Sequence, residues 1–454
     1  MTLESPVKVS NPNGATVKTA PKRIAAAVLG SLRSGVVPRV GLEYVAVGRA
    51  REIDALLRDA DIVTDGGASF RFISGKYGSG KSFLLQTVRN YAMERGFAVM
   101  DADLSPERRL SGTHGQGVAT YRELINNLST YTKPDGGALQ QALEKWISRI
   151  ELETAAQNPD QSQDEARYTV RQRILSVCGE LEGMVNGYDF ARVVLTYYNG
   201  YADDNEDRKA AALRFFRAEY GSKTEARQEL GIRTYINDDN WYEMLKLLAS
   251  FLARAGYRGL IIMLDEMVNL FRIPFRVTRE YNYEKLLAMY NDVLQGKARH
   301  IGFVLVCTPM SLEDTERGIF SYEALRSRLA DGRFADNSLG DIMSPIIKIQ
   351  QLTYEEMYVL LEKVAALHGV VYGAVNLAAE DMVLFLKAEY ERIGAKTNIT
   401  PRSVIRDFIE ILGRLSQNPS ASMRSILASD ADCFSVDSED GQDAPQDEFA
   451  EFVV

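Results

Sequence analysis

Residues Gly75 to Ser82 read GKYGSGKS, which fits the spacing G-x-x-x-x-G-K-[ST]. Gly75, Gly78 and Gly80 have no Cβ to clash at positive φ, so successive backbone N–H groups can converge on one phosphate and form an anion nest. In such a loop Lys81 extends to the β- and γ-phosphates, the Ser82 hydroxyl binds Mg²⁺, and the N-terminus of the following helix adds its dipole. The flanks agree with this reading. SFRFISG (Ser69–Gly75) has the apolar content of a buried strand, and SFLLQTVRNYAMERG after the loop carries apolar residues at helical spacing. The expected ATP-binding residues are therefore Gly75, Tyr77, Gly78, Ser79, Gly80, Lys81, Ser82 and Phe83, with Ser82 also a metal ligand.

A chain of 454 residues, 46% hydrophobic and 25% charged, can bury a sizeable core and has room for two or three subdomains. No run approaches the roughly 18 apolar residues of a membrane span, and MTLESPVKVSNPNG at the start lacks an apolar signal core, so a cytoplasmic protein with no membrane partner is expected. Cys178, Cys307 and Cys433, like His114, His300 and His368, are scattered and match no zinc spacing. The nine carboxylates from Asp430 to the end, with no basic residue among them, equal the whole net charge of −9. The rest of the chain is neutral in sum, which neither demands nor excludes a local basic groove for nucleic acid.

Residues 1–20 are polar and aperiodic and are expected to be disordered. A short amphipathic helix (Lys22–Leu32) opens the segments assigned to a nucleotide-binding core, 21–111 and 258–352. Within that core FAVMDADLS (Phe97–Ser105) reads as a second strand, and GLIIMLDE (Gly259–Glu266) and HIGFVLVCTP (His300–Pro309) as continuous apolar strands covered on both faces. SPIIKIQQL (Ser344–Leu352) reads as the last strand. Between them, residues 112–257 form an interrupted helical pattern too long for a simple crossover, hence an inserted helical subdomain. TYEEMYVLLEKVAALHG opens a helical C-terminal lid (353–429) with a capping box at Thr353 and Glu356, and 430–454 is an acidic tail.

A phosphate-binding loop alone suits kinases equally well, but LIIMLDE does not. The strand-end carboxylate of Asp265 can hold Mg²⁺ through its water shell, and the adjacent Glu266 can orient and deprotonate an attacking water, so hydrolysis is the expected reaction. Thr308, ending the next apolar strand, can bond the attacking water or the γ-phosphate, or simply cap the strand end. Arg402, after the helix-opening Pro401, can reach the γ-phosphate or lie on the surface.

These residues carry a family resemblance. VGRAREID, with Gly48, Arg49 and Glu52, resembles the adenine-side segment of AAA+ and STAND ATPases, GKYGSGKS their Walker A and IIMLDE their Walker B. By position Thr308 matches sensor 1 and Arg402 sensor 2. The resemblance, over about Val45–Leu412 without the insert, implies an α/β P-loop NTPase of the AAA+ or ASCE kind, with a parallel sheet sandwiched by helices. It adds Gly48 and Arg49 to the cofactor-binding residues. The whole chain, including YEALRSRLADGRF, is similar to the BREX-system ATP-binding proteins, a P-loop family of bacterial phage-defence operons near helicase-like genes. That similarity implies a helicase-like or other defence-system partner.

In AAA+ proteins an arginine finger follows sensor 1, and Arg326, Arg328 and Arg333 are the candidates, which implies a homo-oligomer built on nucleotide; a solvated helix face is the plainer alternative. Residues 271–285 mix Arg272, Arg276 and Arg279 with Phe271, Phe275, Tyr281 and Tyr283, which suits phosphate neutralisation and base stacking as well as an ordinary packed loop. Tyr197, Tyr198, Phe215, Phe216 and Trp241 in the insert are expected to be core. Two readings stay open: an ATP-hydrolysing machine that remodels or loads a partner, and a STAND-like nucleotide switch or scaffold with little turnover.

Overall fold

A computed structural model describes residues 20–179, 184, 186–330, 343–392 and 400–428. The expected disordered start and acidic tail, together with Arg333 and Cys433, lie outside the described residues. The chain forms two compact units, Arg49–Gln350 and Met1–Gly48 with Gln351–Val454.

The first unit is built on five strands, β1 (Ala68–Ser74), β2 (Ala98–Asp103), β3 (Leu260–Asp265), β4 (Ile301–Cys307) and β5 (Ile346–Lys348), in the order β2-β3-β4-β1-β5. All pairings are parallel. Parallel neighbours need crossovers that cover both faces, which explains why β3 and β4 are apolar almost throughout. Alternate residues divide between two cores. Ile73, Val99, Ile261, Met263, Val304 and Val306 pack with Leu56, Leu84 and Val88 from the helices Ala50–Thr64 and Lys81–Glu94. Phe72, Met100, Ile262, Phe303 and Leu305 pack on the other face with Tyr121, Leu248 and Leu286 from the helices Gln116–Asn126, Trp241–Arg254 and Arg276–Leu294. The result is a mixed α/β fold with a parallel sheet between helical layers, consistent with a P-loop-like fold.

Between β2 and β3 the described residues form seven helices, from Gln116–Asn126 to Trp241–Arg254. Their aromatic residues, including Trp146, Tyr197, Tyr198, Phe215, Phe216 and Trp241, are almost wholly buried, as their helical spacing suggests. They share one continuous core with the sheet. β5 is shorter than the stretch Ser344–Leu352 read as strand. It pairs with β1 only from Ile346 to Lys348, after which Ile349 N–H still donates to the Ser74 carbonyl at 2.7 Å.

In the second unit the helix Lys22–Arg33 packs with Tyr354–Tyr372 and Pro401–Gln417. The capping box at Thr353 and Glu356 forms as its sequence implies.

Candidate functional site

The loop between β1 and the helix Lys81–Glu94 follows the sheet's C-terminal edge, and its glycines work in two ways. Gly78 (φ +72°) and Gly80 (φ +91°) occupy the left-handed region, where a side chain would be strained. Gly75 does not, contrary to the sequence-based expectation that all three serve positive φ. Its requirement is space, because a Cβ there would lie 2.6 Å from Ser79 Oγ and 3.3 Å from Ile349 Cβ. Tyr77 is exposed, Phe83 half-buried and Ser79 buried.

Lys81 Nζ donates to the carbonyls of Gly75 and Lys76, each at 2.8 Å, and lies 5.4 Å from the Tyr77 ring centroid. Burial holds its ammonium pKa below the ordinary lysine value, against the opposing pull of Asp265, Cys307 and Glu266. Ser82 Oγ donates to Asp265 Oδ2 at 2.9 Å, joining residues 183 positions apart. A hydroxyl and a carboxylate are hard oxygen donors, which suits Mg²⁺ completed by phosphate and water oxygens. Among the described residues no group of three or more His, Cys, Asp or Glu is placed to hold a metal by itself.

Glu266 follows directly, at φ +58°, a conformation that costs a non-glycine residue about 1 kcal/mol. Its N–H donates to Asp265 Oδ1 at 2.7 Å, and its carbonyl accepts from Asn269 N–H at 2.9 Å. The Glu266 carboxyl is held above the ordinary carboxylate range by burial first, then by the charges of Asp265 and Asp103, against Lys81 and Arg272.

Asp103 is the residue that sequence reading passed over. It ends β2 with Asp265 as its register partner on β3, and burial followed by Asp265 pushes its carboxyl up. Three carboxylates thus lie at the ends of two neighbouring strands, and Asp265 and Asp103 each raise the Glu266 pKa. Only the acidic cluster DAD in the sequence hinted at this.

Thr308 directly follows β4, which lies between β1 and β3, and Gly75 N–H donates to the neighbouring Cys307 carbonyl at 3.3 Å. The Thr308 side chain is buried and caps the helix Pro309–Glu313, accepting from Ser311 N–H at 3.2 Å. Arg49 is buried, its guanidinium held by the Ser79 and Gln350 carbonyls at 2.9 and 2.7 Å.

The structure brings the loop, Asp265, Glu266 and Thr308 to one edge of the sheet. Arg326 and Arg328 are exposed on the helix Glu323–Leu329 of the same unit. Gly48 and Arg402 belong to the other unit. Gly48 takes φ +70°, and a Cβ on it would meet Glu356 Oε1 at 2.4 Å; Arg402 is exposed in the first turn of the helix Pro401–Gln417.

Residues 271–285 divide. Arg279 is buried, its Nη1 donating to the Ile273 carbonyl at 2.9 Å, and Tyr283 Oη donates to the Arg317 carbonyl at 2.6 Å. Phe275 (74% exposed), Arg276 and Tyr281 (58% exposed) face solvent, with Arg276 paired to Glu280 at 2.8 Å.

Residues 20–431 match the family model of the BREX system ATP-binding protein BrxC/D. No curated protein matches the chain.

Proposed function

The chain belongs to this family of BREX system ATP-binding proteins, and from that premise we propose that it binds and hydrolyses ATP at Gly75–Ser82 and couples nucleotide state to remodelling or loading of a partner. The setting is bacterial phage defence or DNA metabolism, in the cytoplasm. The observation that carries the reading is the 2.9 Å contact of Ser82 with Asp265, which unites the loop with the strand-end acids.

In this reading the loop's backbone N–H groups hold the phosphates, and Lys81 exchanges its loop carbonyls for β- and γ-phosphate oxygens. Ser82 and Asp265 would hold Mg²⁺, which would supply charge neutralisation of the phosphates. Glu266 accepts the proton of the attacking water, and its raised pKa makes it a stronger base than an ordinary carboxylate. Thr308, fixed by its cap, borders the position of that water. Arg326 and Arg328 complete the site of a neighbouring copy in a nucleotide-built oligomer. Phe275, Arg276 and Tyr281 offer a nucleic acid two aromatic faces and a cation, and a helicase-like or other defence-system protein is the expected partner.

Titration with ATP and Mg²⁺ tests the binding half. The wild type is expected to bind, and Lys81→Ala, which removes the side-chain cation at the β- and γ-phosphates, to lose detectable binding. Equal affinities would place the nucleotide elsewhere.

The carboxylate cluster gives a pH signature. Glu266 acts deprotonated, so kcat/KM should rise with pH through the free protein's Glu266 pKa, above the ordinary value of about 4.3. Asp103→Asn removes one of the charges that raise it and should move this acid limb to lower pH. An unmoved limb would detach Asp103 from the base.

A further inference from the structure

The resemblance of VGRAREID to an adenine-side segment implies that Arg49 meets the base, but its geometry points elsewhere. Arg49 is 7% exposed, and its Nη2 donates to two backbone carbonyls, Ser79 at 2.9 Å and Gln350 at 2.7 Å, while Nη1 stands 3.5 Å from Glu52 Oε1. Arg49 and Gln350 are the first and last residues of their compact unit. The guanidinium therefore ties both ends of the unit to the middle of the phosphate-binding loop.

The contact with Ser79 has a stereochemical consequence. The Ser79 carbonyl and the Gly80 N–H belong to one planar peptide unit, which is trans because the described chain contains no cis peptide bond. In a trans peptide the C=O and N–H bonds point in opposite directions. A carbonyl drawn to Arg49 thus turns the Gly80 N–H away from Arg49. Gly80, at φ +91°, is the residue whose backbone is free to accept this rotation, and a Cβ on it would meet nothing within 4 Å. A charged donor on the carbonyl also polarises the peptide and strengthens its N–H as a donor.

We propose that Arg49 is a positioning residue for the phosphate-binding loop, which fixes the Ser79–Gly80 peptide so that the Gly80 N–H faces the nucleotide's phosphates, and that it makes no contact with the base. This rests on the ATP site proposed above.

Two ligands separate these roles. Wild type, Arg49→Ala and Arg49→Lys are titrated with ATP and with inorganic triphosphate, both with Mg²⁺, fitting stoichiometry and affinity separately. Unfolded protein then lowers the stoichiometry and leaves the affinity of the folded fraction unchanged. Loss of a charge-assisted hydrogen bond that orients a phosphate donor should weaken both ligands by the same factor, roughly tenfold to a hundredfold in Arg49→Ala. Arg49→Lys, which keeps the charge but not the fork, should fall between, and it carries the test alone if Arg49→Ala does not fold. ATP weakened with triphosphate unchanged would overturn the proposal in favour of a base contact. Both ligands unchanged would overturn it in favour of a purely structural arginine. A wild type that binds neither ligand would remove the ATP site itself, and this inference with it.

Discussion

Replacing Arg326 and Arg328 together with alanine is expected to cut ATP turnover by roughly 10³-fold or more while ATP binding persists. An arginine from a neighbouring copy stabilises charge developing on the transferred phosphoryl group and contributes little to the ground state. The helix Glu323–Leu329 suits this part. Leu325 and Leu329 are buried and anchor it, while Arg326 and Arg328 are exposed, Arg328 Nη1 donating to the Ala324 carbonyl of its own helix at 2.7 Å. The double substitution leaves the anchoring face intact. Mixed with Lys81→Ala, itself inactive, the arginine variant should regain part of the activity, because some interfaces then pair an intact loop with intact arginines. Normal turnover by the variant on its own would end the shared-site idea and leave hydrolysis to the residues of a single copy.

Glu266→Gln is expected to lower turnover by about 10²–10⁴-fold with ATP affinity preserved. The amide still hydrogen-bonds a water but cannot take its proton. Glutamine bears the same backbone strain at φ +58° as glutamate but sheds the charge that Asp265 and Asp103 oppose, so stability should be retained or slightly raised. Glu266→Gly separates the two consequences, because it relieves the strain as well as removing the base, and should raise the melting temperature while remaining inactive. Retained strain at this residue fits a functional position, as its neighbours Met267 N–H and Asn269 N–H are fixed on the Val306 and Glu266 carbonyls. Wild-type turnover in Glu266→Gln would leave hydrolysis without this base.

The strand, loop and helix around Gly75–Ser82 were legible because the chemistry proposed for them is local: a few backbone N–H groups, a lysine and a hydroxyl must follow one another at fixed spacing. The strand β3 was legible for a related reason, since an unbroken apolar run ending in Asp265, with Glu266 after it, suits a covered parallel strand. What could not be read depends on register and direction. Asp103 joins Asp265 only through the pairing of β2 with β3, which no local pattern encodes. Arg279 and Tyr283 look as suited to nucleic acid as Arg276 and Tyr281, yet the face of one helix decides that the first two are buried and the last two solvated. Gly75 looked like a left-handed glycine, and the close approach of Ser79 and Ile349 that requires it appears only in three dimensions. Arg49 likewise sits in a segment that resembles a base-binding motif, while its carbonyl partners at residues 79 and 350 are far away in sequence.

The central claim, that this loop and its carboxylates break the β–γ bond of ATP, is tested most directly by single-turnover phosphate release, with protein in excess over ATP and Mg²⁺ present. The account predicts one phosphate released per ATP by the wild type, with ADP as the other product, and intact ATP still bound to Glu266→Gln over the same interval. Wild-type protein that binds ATP and returns it unhydrolysed would contradict the account and identify a nucleotide-held switch.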